Sequence, residues 1–343
     1  MSGERGMYWK YVKSFFVIAI AESLTCTAGI LAGCIAWSWV LLVSIVLFLL
    51  LGIMLGFAYF RLVNGDWENI ADDKFLVKET VDIPMADGWQ MACKVLKAPG
   101  TDGKRLPVAI CHHGLTGRGK KLLWLAIPLA MRGFLVILPD ARGHGESAKR
   151  LKGARMDDWY MTDTTGIMPD YKQILNYACS RPDADPSQIV AIGHSLGGAT
   201  SLVSALPDPR VKLVIPMSSF YSFVDLLEAK RGRVPLTEPW FSKHFLRNVT
   251  DFGKLRRLNE RISPKTYLNA MPREEAARKI RLVHAKDDKL VLFEASAAKF
   301  IEHLGLPASH VFLTEKGDHP LRGQETAVVI KILQWLDEAF RSS

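Results

Sequence analysis

Hydrophobic positions follow two different patterns along the chain, and the change falls near residue 62. Residues 14–60 form a run of 47 residues in which Glu22 is the only charged side chain. From residue 75 onward, short apolar runs alternate with longer segments in which apolar residues recur at helical spacing. The first pattern predicts membrane-spanning helices. The second predicts strands and helices that alternate through a globular domain.

The apolar run is about twice as long as one transmembrane helix requires, since a span takes roughly 20 residues. We therefore predict two spans, over about residues 14–32 and 40–60, with residues 33–39 turning between them. Positive side chains precede the first span and follow the second, whereas the turn carries no charge. By the positive-inside rule, both ends of this hairpin lie on the cytoplasmic side. The sequence thus predicts an integral anchor over residues 1–62, with residues 63–343 on the cytoplasmic face.

The second region begins with a predicted hairpin, because an Asp87-Gly88 turn separates two alternating runs at 75–84 and 89–96. Further strands are predicted at 107–112, 134–139, 188–193, 211–217, 279–284 and 310–314, and helices at 120–132, 163–179, 195–206, 292–304 and 325–340. Short buried strands separated by helices indicate an α/β fold, a mostly parallel central sheet with helices on both faces. Functional residues of such folds lie at the carboxyl ends of the strands.

The interval between the strands at 211–217 and 279–284 is too long for a simple crossover. We interpret residues 220–262 as a mostly helical cap inserted over the active site; the alternative is a surface excursion with its own small core. Residues 230–265 hold ten Lys or Arg against three acidic residues. This basic stretch either meets anionic lipid headgroups or is a solvated face. No nucleic-acid motif accompanies it, so a nucleic-acid partner is not expected.

Composition changes this picture little. The mean hydropathy is +0.09 and 49% of the residues are hydrophobic. The N-terminal run accounts for this apolar excess. The five cysteines show no paired spacing, as in proteins of a reducing compartment.

The strongest chemical signal is Gly193-His194-Ser195-Leu196-Gly197, which matches the nucleophile-elbow pattern G-x-S-x-G. It follows a predicted buried strand and opens a predicted helix, which is the context that the motif requires. Glycines flank the serine because the sharp turn leaves no room for side chains. Ser195 is therefore the predicted nucleophile; the alternative is an ordinary glycine turn between a strand and a helix.

A serine hydroxyl is a weak nucleophile and needs a neighbouring base, which in this arrangement follows an acid in the chain. Of the histidines after Ser195, only His319 stands in a loop directly after a predicted strand, so we predict it as the general base. The acid should follow the strand at 279–284, where Asp287 and Asp288 are adjacent. We favour Asp288, which stands three residues after Ala285 and three before a valine, and Asp287 would then cap a turn.

Charge that develops on a substrate oxygen needs two backbone N–H donors. One is expected from Leu196, directly after the nucleophile. The other is expected from Leu115, in the glycine-rich loop that follows the strand at 107–112. The sequence contains no metal-ligand spacing and no dinucleotide fingerprint, so neither a metal nor an organic cofactor is expected.

Together these residues resemble the α/β-hydrolase superfamily over about residues 75–341. The resemblance rests on His113-Gly114 with its loop, on the segment Asp140-Ala141-Arg142-Gly143-His144-Gly145-Glu146-Ser147, on the elbow at 193–197, and on Asp288 and His319. It implies the fold and a Ser-His-Asp triad, and it is closest in kind to the esterase, lipase and lysophospholipase branches. The Asp287-Asp288 pair is also similar to that of prolyl oligopeptidases, whose propeller domain this chain lacks.

The expected function is therefore hydrolysis of carboxylic esters at a membrane surface, through an acyl-enzyme on Ser195. The anchor and the apolar and basic residues of the cap favour ester or lipid-like substrates, with membrane lipids as partners of the anchor. A peptidase, amidase or thioesterase with the same triad is the alternative. A membrane-bound binding protein without catalysis is the third possibility, and the complete triad argues against it.

Overall fold

The computed structural model of the protein describes residues 37–63, 76–150, 165–230 and 263–340. The chain forms two compact units, Met1–Asp66 and Trp67–Ser343. The boundary between the two units agrees with the sequence. The apolar run ends shortly before it, and the alternating strands and helices begin after it.

The described part of the first unit is one helix of 27 residues, α1 (Trp37–Val63). It contains the predicted second span, residues 40–60. The helix starts earlier than predicted, because residues 37–39 of the expected turn include no glycine or proline to stop it. The predicted first span, residues 14–32, lies outside the described residues. Many large apolar side chains of α1 are exposed, among them Trp39 and Phe48.

Judged on the described residues alone, no helix of the chain has both the length and the hydropathy of a membrane span. The predicted two-span hairpin therefore finds no support in the structure.

The second unit is built on one twisted sheet of eight strands within the described residues. The strands are β1 (Val77–Pro84), β2 (Gln90–Lys97), β3 (Leu106–His112), β4 (Leu135–Pro139), β5 (Ala184–His194), β6 (Val211–Met217), β7 (Leu282–Ala285) and β8 (Val311–Thr314). Their order is β1-β2-β4-β3-β5-β6-β7-β8. β2 runs antiparallel to β1 and β4, and all other neighbours are parallel, as the sequence predicts.

Helices cover both faces of this sheet. They are α2 (Leu123–Met131), α3 (Gly145–Arg150), α4 (Ile167–Ser180), α5 (Leu196–Ser204), α6 (Phe223–Lys230), α7 (Pro264–Asn269), α8 (Arg273–Lys279), α9 (Ala297–Leu304) and α10 (Glu325–Phe340). Side chains of one strand alternate between two apolar cores. In β3, Val108 and Ile110 belong to the core that includes α4 and α9, whereas Ala109 and Cys111 belong to the core that includes α2 and α10.

Several predicted elements begin at a different residue in the structure, and three of them start three or more residues later for reasons that the local structure shows. The strand predicted at 279–284 starts only at Leu282, because Lys279 ends helix α8. Acidic residues in the first turn and basic residues in the last turn of α8 suit its dipole. The helix predicted at 292–304 begins at Ala297, and α4 begins only after Gly166, whose φ of 118° is not helical. Hydropathy along the sequence does not show where such a strand or helix begins.

Only the start of the predicted cap, residues 220–230 with helix α6, is described, and residues 231–262 lie outside the described residues. The chain on either side of this segment is joined by hydrogen bonds. The backbone N–H of Phe223 donates to Ser263 Oγ at 2.9 Å, and the N–H of Lys265 donates to the carbonyl of Tyr221 at 2.9 Å. The start of helix α6 is therefore joined to the chain that follows residue 262.

A buried ion cluster around Arg142 joins three separate parts of the second unit. Its guanidinium donates to both carboxylate oxygens of Asp170 at 3.0 and 2.7 Å, and to those of Asp87 at 2.8 and 3.2 Å. It also lies 4.7 Å above the centre of the Trp89 ring. These contacts link the β1–β2 turn and helix α4 to the loop after β4.

We expect that replacing Arg142 with methionine lowers the free energy of unfolding by about 3–5 kcal/mol, because two carboxylates lose their shared cationic partner and the carboxylate of Asp170 is buried. The matched control is Arg132→Met, which breaks the partly exposed pair with Asp337. That change should cost less than about 1 kcal/mol. Urea denaturation of the two variants gives both values, and equal small losses would contradict the assignment.

Candidate active site

The predicted functional residues all follow the carboxyl ends of parallel strands, in loops or, for Leu196, at the start of helix α5. Ser195 follows β5, Asp288 follows β7 and His319 follows β8. Leu115 is in the loop after β3. Because these strands are parallel, their carboxyl ends meet at one edge of the sheet. The strand order reverses between β3 and β5, since the chain passes from β3 to β4 on one side and from β5 to β6 on the other.

The turn at Ser195 has a strained backbone. Its φ of 55° and ψ of −119° lie outside the regions that residues with a side chain usually occupy. The Ser195 N–H donates to the carbonyl of Met217 at 2.8 Å, and its own carbonyl accepts from Ala199 at 3.1 Å, within helix α5. The fold therefore holds this residue between a strand and a helix in one conformation, as is common at functional sites.

Glycines make this turn possible because carbonyl groups lie where a side chain on either side of Ser195 would stand. A Cβ at Gly193 would overlap the carbonyl of Gly197, and a Cβ at Gly197 would overlap the carbonyl of His112. A Cβ at Gly114, in the loop after β3, would come within 3.0 Å of the Ser195 Cβ. The sequence motif is thus a steric requirement at the end of β5.

His319 and Asp288 are directly hydrogen-bonded. His319 Nδ1–H donates to Asp288 Oδ2 at 2.8 Å. The other oxygen, Oδ1, accepts the backbone N–H groups of Leu290 and Val291, both at 2.8 Å. Burial alone would raise the pKa of Asp288, but the bonds from His319 and Val291 outweigh it, so the pKa is lowered. Asp288 is therefore an ionised carboxylate, and His319 keeps Nε2 free of the proton that Nδ1 carries.

Asp287 makes a different contact. Its Oδ1 accepts the backbone N–H of Asp318 at 2.8 Å, while Asp318 Oδ1 accepts the N–H of Lys289 at 3.1 Å. Asp318 has a φ of 51°, a conformation in which aspartate is tolerated. Asp287 and Asp318 therefore tie the loop after β7 to the loop that carries His319. Of the adjacent Asp287 and Asp288, it is Asp288 that is hydrogen-bonded to the imidazole.

Leu196 directly follows Ser195, and Leu115 follows Gly114, which approaches Ser195 closely. Leu196 is the first residue of α5, where backbone N–H groups have no partner within the helix. The loop of Leu115 is shaped by its neighbours: Thr116 has a φ of 62° and donates its N–H to His144 Nε2 at 3.3 Å. Both leucine side chains pack into a third apolar cluster with Phe220, Phe223 and other residues. This cluster lies around the serine turn.

Three histidines that the sequence analysis did not assign to the site fix the loop after β3. His113 Nδ1–H donates to the carbonyl of Gly114 at 2.7 Å, and its Nε2 accepts the N–H of Ala141 at 3.0 Å. His144 Nδ1–H likewise donates to the carbonyl of Arg142 at 2.8 Å. His112 Nδ1–H donates to the carbonyl of His113 at 3.0 Å. Each ring is thus a neutral δ-tautomer that connects backbone segments.

Burial keeps these rings neutral. It lowers the pKa of His112 to about 4 and lowers the pKa of His113 and His144 as well. The sequence showed His113 and His144 only as parts of motifs, because nothing local reveals which backbone group a buried ring will bond.

The remaining histidines have other partners. His284, on β7, donates from Nε2 to the carbonyl of Val291 at 2.9 Å and lies 3.8 Å from Asp288 Oδ2. His303 contacts the Tyr221 hydroxyl, and His310 contacts the carbonyl of Ala277. His244 lies outside the described residues. Across the described part of the chain, no group of three His, Cys, Asp or Glu side chains is arranged to hold a metal ion.

The fold and this edge of the sheet define the class of the protein. The chain belongs to the α/β hydrolase fold family, whose family model matches residues 107–295, more than half of its length. The matched range includes the loop after β3, the Ser195 turn and Asp288.

Known proteins similar to this chain include enzymes of ester hydrolysis. The Bacillus subtilis (strain 168) protein named "Putative esterase YitV" is 22% identical over 240 residues, which cover 68% of this chain and 89% of YitV. Cutinase est2 of Thermobifida alba is 28% identical over 111 residues, 32% of this chain and 33% of the cutinase. The structure of acetyl xylan esterase from Paenibacillus sp. R4 superposes with a TM-score of 0.54 at 21% identity, covering 78% of this chain and 85% of that one. The structural likeness shows the shared fold.

We expect the free energy of unfolding to fall as the pH drops from about 6.5 to 4. In this range the unfolded state has protonated histidines whereas His112 in the folded state stays neutral, so the unfolded state binds more protons and stability falls with falling pH. A pKa of about 4 instead of 6.5 corresponds to about 3 kcal/mol for this ring.

Urea unfolding at several pH values measures this loss. The control is His112→Asn, which keeps a donor at the place of Nδ1 but cannot be protonated. The variant should lose about 3 kcal/mol less than the parent between pH 7 and 4. Parallel curves for the two proteins would show that His112 does not contribute to the pH dependence.

Proposed function

We propose that this chain is a serine hydrolase of carboxylic esters in which Ser195 is the nucleophile, His319 the general base and Asp288 the acid that orients His319. The observation that carries the proposal is the 2.8 Å bond from His319 Nδ1 to a buried, ionised Asp288 at the sheet edge that also holds the strained Ser195. The esterase and cutinase names among the similar proteins support the same substrate class.

In the proposed reaction, Ser195 Oγ attacks the ester carbonyl carbon while its proton moves to His319 Nε2. The C–O bond to the alcohol then breaks, and His319 returns the proton to the leaving oxygen. Water attacks the acyl-enzyme by the same route, again giving its proton to His319. The carboxylic acid is released, and Ser195 recovers its proton.

Asp288 has two tasks in this mechanism. It accepts a hydrogen bond from Nδ1–H of His319, so that Nε2 is the nitrogen that faces the reaction. Its negative charge also stabilises the imidazolium that forms when Ser195 attacks. Both tasks require an ionised carboxylate, and the lowered pKa of Asp288 supports this.

The N–H groups of Leu196 and Leu115 are the proposed donors to the oxyanion. The N-terminus of α5 favours negative charge near Leu196. The loop of Leu115 is held by bonds to His113 and His144, which supports a donor that is fixed before substrate arrives. The apolar cluster around the turn suits the acyl group of an ester.

We also propose that residues 1–62 hold the enzyme at a membrane, that residues 63–343 form the catalytic domain on the cytoplasmic face, and that residues 220–262 form its cap. The support for the anchor is the 47-residue run of the sequence with one charge. The basic stretch at 230–265 is consistent with anionic lipid nearby. Lipid-like esters would then be the accessible substrates.

We expect the purified protein to hydrolyse p-nitrophenyl esters, and expect Ser195→Ala to lose at least about 10⁴-fold in kcat because the nucleophile is absent. A series of acyl chain lengths, run beside aminoacyl amides, measures the preferred substrate. Absence of hydrolysis of every ester by folded protein, or unchanged activity in Ser195→Ala, would overturn the proposal.

The adjacent aspartates provide a matched control for this experiment. Asp288→Ala should lower kcat by about 10⁴-fold, because His319 loses its orienting carboxylate. Asp287→Ala removes only one acceptor for the backbone of Asp318 and should cost less than about tenfold. The reverse order would assign the acid to Asp287.

Membrane attachment has its own test in cell fractionation. The full chain should sediment with membranes and require detergent for release, because a long apolar segment partitions into lipid. Deleting residues 1–62 should move ester hydrolysis into the supernatant. A full chain that stays in the supernatant without detergent would exclude the anchor and leave the proposed chemistry untouched.

A further inference from the structure

His194, the residue between Gly193 and the nucleophile, lies between the loops that carry the other parts of the site. Its Nε2–H donates to the backbone carbonyl of His319 at 2.9 Å. On the other side of the ring, Nδ1 is 3.2 Å from where a Cβ on Gly114 would stand. The ring therefore contacts the base loop through one nitrogen and faces the loop after β3 with the other.

We propose that His194 is a positioning residue, which holds the backbone of His319 in place relative to Ser195 through this bond. The inference rests on the proposed function, since it concerns the base of that reaction. The bond from His319 Nδ1 to Asp288 fixes the rotation of the ring. The bonds of Asp318 tie the loop to the loop after β7, and the bond from His194 adds a tie at the carbonyl of His319 itself, from the strand of the nucleophile. Attack by Ser195 needs both the ring and its backbone in place, because the base must reach Oγ within hydrogen-bonding distance.

The bond requires that Nε2 of His194 carries a hydrogen. This fits the neutral ε-tautomer. Burial lowers the pKa of His194 to about 4, and the nearby His319 lowers it in the same direction. The two ring centres are only 4.9 Å apart, so a charged His194 would oppose the imidazolium that His319 becomes during the reaction. A neutral donor at this position avoids that repulsion.

His194 also connects the nucleophile and the support of the base loop to one rigid element, strand β5. It is the last residue of β5, paired in register with Met217 of β6, and Ser195 is its immediate neighbour. The nucleophile and the donor to the base loop therefore move together. A base loop tied to the strand of the nucleophile keeps the distance between them constant when outer parts of the domain shift.

Two substitutions of similar size separate the bond from the shape of the ring. The amide nitrogen of glutamine reaches about as far as Nε2 of histidine, so His194→Gln keeps the donor. The amide nitrogen of asparagine corresponds to Nδ1, so His194→Asn stays polar and neutral but cannot reach the carbonyl of His319. Neither substitution removes a residue of the proposed triad.

The first measurement is amide hydrogen exchange over residues 315–322 in the full chain, which does not depend on activity. His194→Asn should raise exchange in this loop by about fivefold to tenfold, the equivalent of one lost hydrogen bond. His194→Gln should stay within about twofold of the parent. Equal exchange in all three proteins, or equal increases in both variants, would overturn the proposal.

The second measurement is the split between kcat and KM for the preferred p-nitrophenyl ester. His194→Asn should lower kcat by roughly 10–100-fold with KM nearly unchanged, because a displaced base affects the chemical step more than binding. His194→Gln should recover most of kcat. A parent protein with no ester hydrolysis would refute the proposed function, and the exchange result would still decide whether His194 holds the loop.

Discussion

The close approach of backbone to backbone at the end of β5 is the constraint on which the rest of the site depends. Side chains at Gly193 or Gly197 would overlap carbonyl groups of the same turn or of β3, so the strand can turn into α5 only with glycine at both places. The Ser195 N–H then bonds to β6, and the carbonyl begins the helix. A local steric condition thus determines where the nucleophile stands relative to three strands and one helix.

Buried neutral histidines hold the surrounding loops in place by hydrogen bonds to their backbone. His113, His144 and His194 each donate one ring hydrogen to a backbone carbonyl, and His113 and His144 also accept a backbone N–H. An imidazole is well suited to such a task because it is rigid and can join two backbone segments that have no regular structure in common. The same low pKa values that keep these rings neutral also make the assembly sensitive to acid.

Much of this could be predicted from the sequence. Buried strands and the Ser195 turn are local patterns, so β3 to β6 and the order of the functional residues follow from periodicity and from one motif. Asp288 and Asp287 could be ranked by spacing, but which of them contacts His319 depends on how two loops meet after β7 and β8. The contacts of His194 and His144 join residues far apart in the chain, and no local signal encodes them. Helix α8 was not predicted, and it ends at Lys279, the first residue of a predicted strand.

The hydrogen bonds at Ser263 and Lys265 join the described chain that precedes residue 231 to the chain that follows residue 262. Closing a chain segment costs entropy that grows only slowly with its length, so the fold tolerates a longer or shorter segment here at nearly constant stability. This stretch, which belongs to the proposed cap, can therefore be exchanged as a module while the backbone that holds Ser195 stays the same. For protein engineering, the Phe223 and Ser263 junction is a natural place to graft a segment from another hydrolase.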